Sequence, residues 1–508
     1  MYPKSLHTVG RHPLLHQLWN DATSSLRIQI LEAINEIDWT SVDFLRVGLN
    51  GEYQITLMVA TRPDTLTWSH GHTVALRCKS ILEEHGIHDV PCEILEALVH
   101  FHTDEKPKDY STVDSEAGTD SGSATFQLFS GPVSTRNSSK SDRVKDLTDR
   151  LGTNIATSQL NHVPSTKGLY VSIRPTGSGD EPQVVALTCR HLMFDSTTEG
   201  TQKYQKSQPF KEVIQVDQGT YLRNLRYLER ESESDGESDG EFSEDDQIRA
   251  DASSSGIADN NMILSRAMMS FRDPSSRVFG RLLYSPEFTV TSDHSGSTWI
   301  RDWALIELLP KSHQAAPSSI QNIVYLGTEG AIVDCMDRNG DQFERLLDLL
   351  EPFIKIGELK LQRVAVPMEE IFSSPETEDV HESGLLVGKY GAIGELSFGL
   401  GNTLKSVVRR VETSEGGRET EWISEEWAII STTERRPPRL WKEPDLQDYF
   451  ARDGDYGSCV WDMQGRPAGI LTAGSGFQHK MATHVTYAQP LERLLKDIRS
   501  DGFDVELV

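Results

Sequence analysis

Three short pieces of the chain carry residue types that could do chemistry together. The stretch "ALTCRHLMF" sets His191 just after an apolar strand, and "IRDWALIEL" sets Asp302 at the start of another. The third, "GDYGSCVWD", is a glycine-flanked turn before an apolar strand, with Tyr456 between Asp455 and Gly457. An imidazole base, a carboxylate and a tight turn that offers a side chain at its apex are the ingredients of nucleophilic acyl transfer. The apex residue here is a phenol. A short hydroxyl would meet both the imidazole and a carbonyl carbon about 3 Å away, whereas a tyrosine projects further, is bulkier, and makes an acyl ester that is a good leaving group.

The chain order His191, Asp302, glycine turn resembles that of the trypsin-like, chymotrypsin-fold serine peptidases, and differs from the order in subtilisins and α/β-hydrolases. In that family a Thr-Ala-Ala-His-like turn, an Asp-(Ile/Trp)-Ala-Leu strand and a Gly-Asp-Ser-Gly turn supply base, acid and nucleophile. The resemblance covers roughly residues 150 to 505. Within it the chain is most similar to large intracellular fungal proteins with a trypsin-like domain, through "GKYGAIGELSFG" and "EWAII". It implies two six-stranded antiparallel β-barrels, with His191 as general base, Asp302 as the acid that orients it, and Tyr456 at the nucleophile position. The backbone N–H groups of Gly454 and Tyr456 would form the oxyanion hole. Asp455 would need a partner other than a freshly cleaved N-terminus, and Phe450 would lie near the specificity pocket. Ser458, two residues on, is the rescue candidate, but two residues along a strand move a side chain by about 6.5 Å, under the turn.

The elements that must position these residues are legible around them. The 508-residue chain is long enough for several cores, at 37% apolar content. Residues 1–103 read as a small α+β unit. "DATSSLRIQILEAINEIDW" has a helical stripe behind Asp21 or Ser24, strands flank "NGE", and a second helical stripe through Val74, Cys78, Ile81 and Leu82 stops at Gly86 before "DVPCEILEALVHF" returns as a strand. Residues 104–149 read as a disordered polar linker, and Ser121 within it, in "TDSGSA", lacks an apolar strand to fix it. Residues 150–310 read as a first barrel with a helical and acidic insertion at about 200–275. A connection with a helix follows at 311–350, then a second barrel and closing helix at 351–508. Strands are expected in that last part at "FIKIGELKLQRVAV", "GLLVGKYGAIGELSFG", "SVVRRV" and "EWAIIST".

Composition excludes other classes. A net charge of -27, from 77 acids against 50 bases, argues against a nucleic-acid surface. No apolar run approaches the 18 or so residues of a membrane span, and no secretory leader is expected at the start. Five scattered cysteines without CxxC spacing suggest neither disulfides nor zinc, and point to an intracellular setting, cytoplasmic or nuclear. His70, His72, His100 and His102 come in pairs but lack cysteine or carboxylate partners at ligand spacing, so no metal is expected. No phosphate-binding loop is present and no cofactor is implied. "ESESDGESDGEFSEDD" reads as a solvated, disordered insertion in which Ser232, Ser234, Ser238 and Ser243 have acids three residues on. Three functions follow: an inactive peptidase relative that binds a peptide or protein partner, an active serine endopeptidase using Ser458 or a displaced serine, or an interaction module with accidental matches. The sequence leaves the oligomeric state open.

Overall fold

A computed structural model describes residues 5–49, 52–101, 127–128, 141–160, 165–194, 201–207, 209–234, 261–374, 383–413, 419–433, 449–476 and 485–508. It is mainly β, with curled, barrel-like sheets.

The N-terminal unit forms as its periodicity dictates. Helix α1 (Ser25–Ile34) starts at Ser24, whose hydroxyl accepts from Arg27 N, and it buries Leu26, Ile30, Ala33 and Ile34 at three- and four-residue spacing. Strands β1 (Trp39–Leu49) and β2 (Glu52–Thr61) pair antiparallel. Helix α2 (Trp68–Glu84) buries Val74, Cys78, Ile81 and Leu82, and Gly86 follows it at φ +79°. Strand β3 (Cys92–Glu96) then lies parallel to β2. The helices cover one face of this sheet, where their apolar residues pack with Phe44, Leu57 and Val59. One residue past β3, the chain leaves this sheet. Strand β4 (Leu98–His100) pairs elsewhere, so the expected single strand "DVPCEILEALVHF" serves two partners.

The first curled sheet uses β5 (Asn154–Thr157), β6 (Ser165–Thr166), β7 (Leu169–Pro175), β8 (Gln183–Thr188), β9 (Glu212–Gln215), β10 (Val278–Ser285) and β11 (Ala304–Leu308). Its ladders run β7–β8–β11–β10–β9–β5–β6, and β6 bends through Lys167 and Gly168 straight back into β7. The sheet is therefore curled and partly closed, with β6 running directly into β7, whose other side pairs with Phe503–Leu507. Gly168 permits the bend, since a Cβ there would lie 2.3 Å from Gly457 O.

The second uses β12 (Leu385–Gly391), β13 (Glu395–Thr413), β14 (Glu419–Ser431), β15 (Cys459–Asp462), β16 (Pro467–Gly476) and β17 (Val485–Pro490). Every ladder is antiparallel in the order β12–β15–β16–β17–β14–β13, and β13 pairs back onto β12, which closes the ring. Strand β13 is 19 residues long and outruns the ring. Its Val407 and Val408 pair with Val42 and Ser41 of β1, so the N-terminal sheet continues the second barrel. The expected strands at "LSFG" and "SVVRRV" are this one strand.

Three expectations are corrected. The linker does not run to 149: Ser141–Val144 is helical, and Val144, Leu147 and Asp149 are buried. "FIKIGELKLQRVAV" is largely not strand, because its first residues end helix Phe343–Ile354 and only Glu358–Lys360 is extended. Its Ile354 is buried on the helix's apolar face instead. Ser232 and Ser234 lie on the helix Gln218–Ser234, whose backbone carries on into the acidic tract. Ser121, His102, Ser238 and Ser243 fall outside the described residues. Among those residues, no helix is long and apolar enough to cross a membrane.

A buried ion pair ties α1 to the second barrel. Arg27 Nη2 lies 2.7 Å from Glu425 Oε1, with side-chain exposures of 4% and 0%, and Lys405 meets Glu425's other oxygen at 2.8 Å. Replacing Arg27 leaves a buried carboxylate with one cation. Arg27→Met is expected to lower unfolding stability by about 3 kcal/mol, with Arg27→Lys recovering part of it, as measured by urea denaturation.

Candidate active site

His191 and Asp302 stand at the same end of two adjacent strands. Thr188 of β8 pairs with Ala304 of β11, so a residue three past the first and one two before the second emerge together. Asp302 Oδ1 accepts from His191 N at 2.9 Å, and Oδ2 lies 2.5 Å from His191 Nδ1. A carboxylate at Nδ1 selects the tautomer that carries its proton there, leaving Nε2 as the basic nitrogen. Asp302 is fully buried. Burial opposes its ionisation, yet His191 and then Arg410 outweigh that and hold the carboxyl well below the usual range.

The glycine turn meets this pair from the second barrel. Gly454 and Gly457 have φ of +97° and +89°, which favour glycine. Thr166 of β6 holds the turn, its N–H donating to Tyr456 O at 3.1 Å and its hydroxyl to Gly454 O at 2.8 Å. A Cβ on Gly457 would lie 2.4 Å from Thr188 Oγ1 and 2.5 Å from Thr166 O, so only glycine fits between the two barrels.

Tyr456 is 2% exposed. Its ring stands edge-on to His191 with centroids 6.2 Å apart, and its hydroxyl donates to Asp453 Oδ1 at 3.4 Å. Burial, reinforced by the charges of Asp453 and Asp455, raises the phenol well above its ordinary value, so it stays protonated. Ser458 is fully buried, and its hydroxyl donates to Asp455 O at 2.5 Å, within the turn itself. Phe450 is buried against Gly399, within the second barrel.

Asp455 finds its partner in Lys389. Their charged atoms are 2.5 Å apart and both side chains are wholly buried. The carboxylate also accepts from Ile393 N, Gly394 N and Arg452 N at 3.0, 2.7 and 3.1 Å.

Sequence reasoning missed a second layer behind Asp302. Arg410 of β13 is buried, with guanidinium nitrogens 3.7 Å from Asp302 Oδ2 and 3.7 Å from Glu426 Oε1. Its flat face covers Phe101, 3.6 Å from the ring centroid. Glu426 of β14 is fully buried and accepts from Thr472 at 3.1 Å and Ser424 at 3.3 Å. Two arginines inside the apolar run "SVVRRV" were the available signal, since a cation on a barrel strand must find an anion. A cavity of about 120 Å³ lies beside this layer, bounded by His191, Phe101, Arg410 and Phe288.

Cys189, His191 and Asp302 present their donor atoms within 4.8 Å of one another. They do not fit a cation. Burial raises the Cys189 thiol well above its ordinary value while its S–H points at Leu471 O, and both Asp302 oxygens are engaged by His191. His70 and His72 sit on the surface of α2, and His100 pairs with Gly474.

Neither a scan against protein-family models nor a search of curated proteins finds a match for the chain.

Glu426 sets a pH dependence. Burial, with a smaller contribution from the Asp302 charge, pushes its carboxyl from 4.5 up to about 7 against the pull of Arg410 and Thr472. The folded state thus holds this proton more tightly than the unfolded chain does. The resulting stabilisation is full below pH 4.5 and is lost as pH rises to about 7. Glu426→Gln is expected to remove this loss, gaining on the order of 2–3 kcal/mol over wild type between pH 5 and pH 8, as read from denaturation at both values. Lys389→Met strands the Asp455 carboxylate and is expected to cost about 3–5 kcal/mol in the same assay.

Proposed function

We propose that the chain is a relative of the trypsin-like serine peptidases, built on two chymotrypsin-type six-stranded barrels, that has lost hydrolysis and acts as a peptide- or protein-binding module. One observation carries the reading. An oriented His191–Asp302 pair faces a glycine turn from the other barrel, and the turn's apex residue is a buried, protonated tyrosine.

The chemistry fails at one step. Acyl transfer needs a hydroxyl that can lose its proton to the imidazole while it attacks a carbonyl. The Tyr456 hydroxyl is directed to Asp453, and Ser458 is directed to Asp455 O. Loss of such a nucleophile costs on the order of 10⁶ in turnover. What supports retained binding is the rest of the site: a shaped turn, a base with its orienting acid, and a neighbouring cavity. An active endopeptidase using Ser458 gains no support from that residue's burial and bonding.

A fluorophosphonate probe separates these readings. Wild type is expected to stay unlabelled. Tyr456→Ser is expected to label at a rate on the order of 10² or more above it, and adding His191→Ala should abolish the gain. Wild-type labelling that vanishes in Ser458→Ala sinks the inactive reading. A folded Tyr456→Ser protein that takes no label favours an interaction module whose triad matches are accidental.

A further inference from the structure

The end of β16 offers a sheet edge beside His191, and a piece of the N-terminal unit already sits on it. Leu98, Val99 and His100 of β4 pair antiparallel with Gly476, Ser475 and Gly474. The edge consists of two glycines and a serine, so no large side chain keeps an approaching backbone away. Val99 and Phe101 pack against the apolar group that includes Ala473 and Tyr487. Phe101 lines the same cavity as His191 and lies under the Arg410 guanidinium, which is also 3.7 Å from Asp302 Oδ2.

The geometry points to this edge as a binding site for an extended peptide, with β4 as its built-in occupant. The inference rests on reading the space between the barrels as a peptide cleft. Strand addition to a free edge uses main-chain hydrogen bonds for affinity and alternate side chains for selectivity. The alternate positions are filled here by Val99 and Phe101. The partner it fits is therefore an extended segment with an apolar residue two places before an aromatic one, the aromatic ring stacking on the Arg410 guanidinium. Among the described residues the occupant is held by three ladder pairs, and it is tethered one residue after β3. Tethering gives β4 a high effective concentration, so an outside peptide binds only as far as β4 leaves.

The test uses the full chain and a fluorescent peptide copying residues 95–103, LEALVHFHT. Val99→Asp with Phe101→Gly sets a carboxylate against the apolar group and removes the stacking ring, which expels β4. Binding at least about 10-fold tighter than to wild type is expected. Val99→Cys with Ser475→Cys places thiols on directly paired residues. Its oxidised form is expected to bind at least about 10-fold more weakly than its reduced form, and this comparison decides the matter if the first variant does not fold. Equal binding by the expelled variant and wild type, or by the oxidised and reduced lock, overturns the proposal. Fluorophosphonate labelling of Tyr456→Ser is read alongside. Peptide binding as expected with no labelling leaves the edge site standing and removes the peptidase reading, and the reverse pattern does the opposite.

Discussion

The arrangement of the site hangs on the buried contact between Lys389 and Asp455. Taking both charges out of water is costly, and their attraction offsets that cost only if the remaining lone pairs are also satisfied. Here they are: three backbone N–H groups from two separate loops complete the shell around the carboxylate. Room for this exists because Gly391 and Gly394 have no side chains, as a Cβ on either would lie 2.2 or 2.1 Å from an Asp455 oxygen. The pair therefore joins the 391–394 loop to the 452–458 turn and sets the turn's backbone without help from the apex side chain. The turn therefore keeps its backbone shape with a tyrosine at its apex.

A second electrostatic unit divides two carboxyls across one cation. Arg410 stands at equal distance from Asp302 and Glu426, yet the two acids have opposite fates. Asp302 takes two hydrogen bonds from His191 and is held ionised. Glu426 has only hydroxyl donors besides the arginine, and burial raises it instead. Below about pH 7 a single guanidinium thus serves one full negative charge while Glu426 keeps its proton, which avoids two uncompensated anions in one dry layer.

Much of this was legible in the sequence, for reasons that differ by element. The α1 and α2 stripes, the β1–β2 pair and β3 follow from local periodicity. His191, Asp302 and the glycine turn were visible because each sits at the end of a short apolar strand. What stayed hidden depends on contacts distant in sequence. Lys389 and Asp455 are 66 residues apart, and although the resemblance asks for a buried partner at Asp455, no local pattern points to Lys389. Strands β3 and β4 read as one run because the change of partner at Ala97 leaves no turn residue behind. "FIKIGELKLQRVAV" misled because Ile354 and Ile356 alternate as a strand would, while the preceding helix claims the first of them.

The continuation of β1 onto β13 means that the sequence boundary near residue 103 is not a physical seam. A piece cut there would carry two raw sheet borders, one at Val407–Val408 and one at Gly474–Gly476, each lined with backbone groups that had been paired. Such borders seek other chains, and glycine-rich ones lack the charged or bulky guards that discourage stacking. The N-terminal unit therefore covers both borders, in the way a terminal cap protects an otherwise sticky repeat.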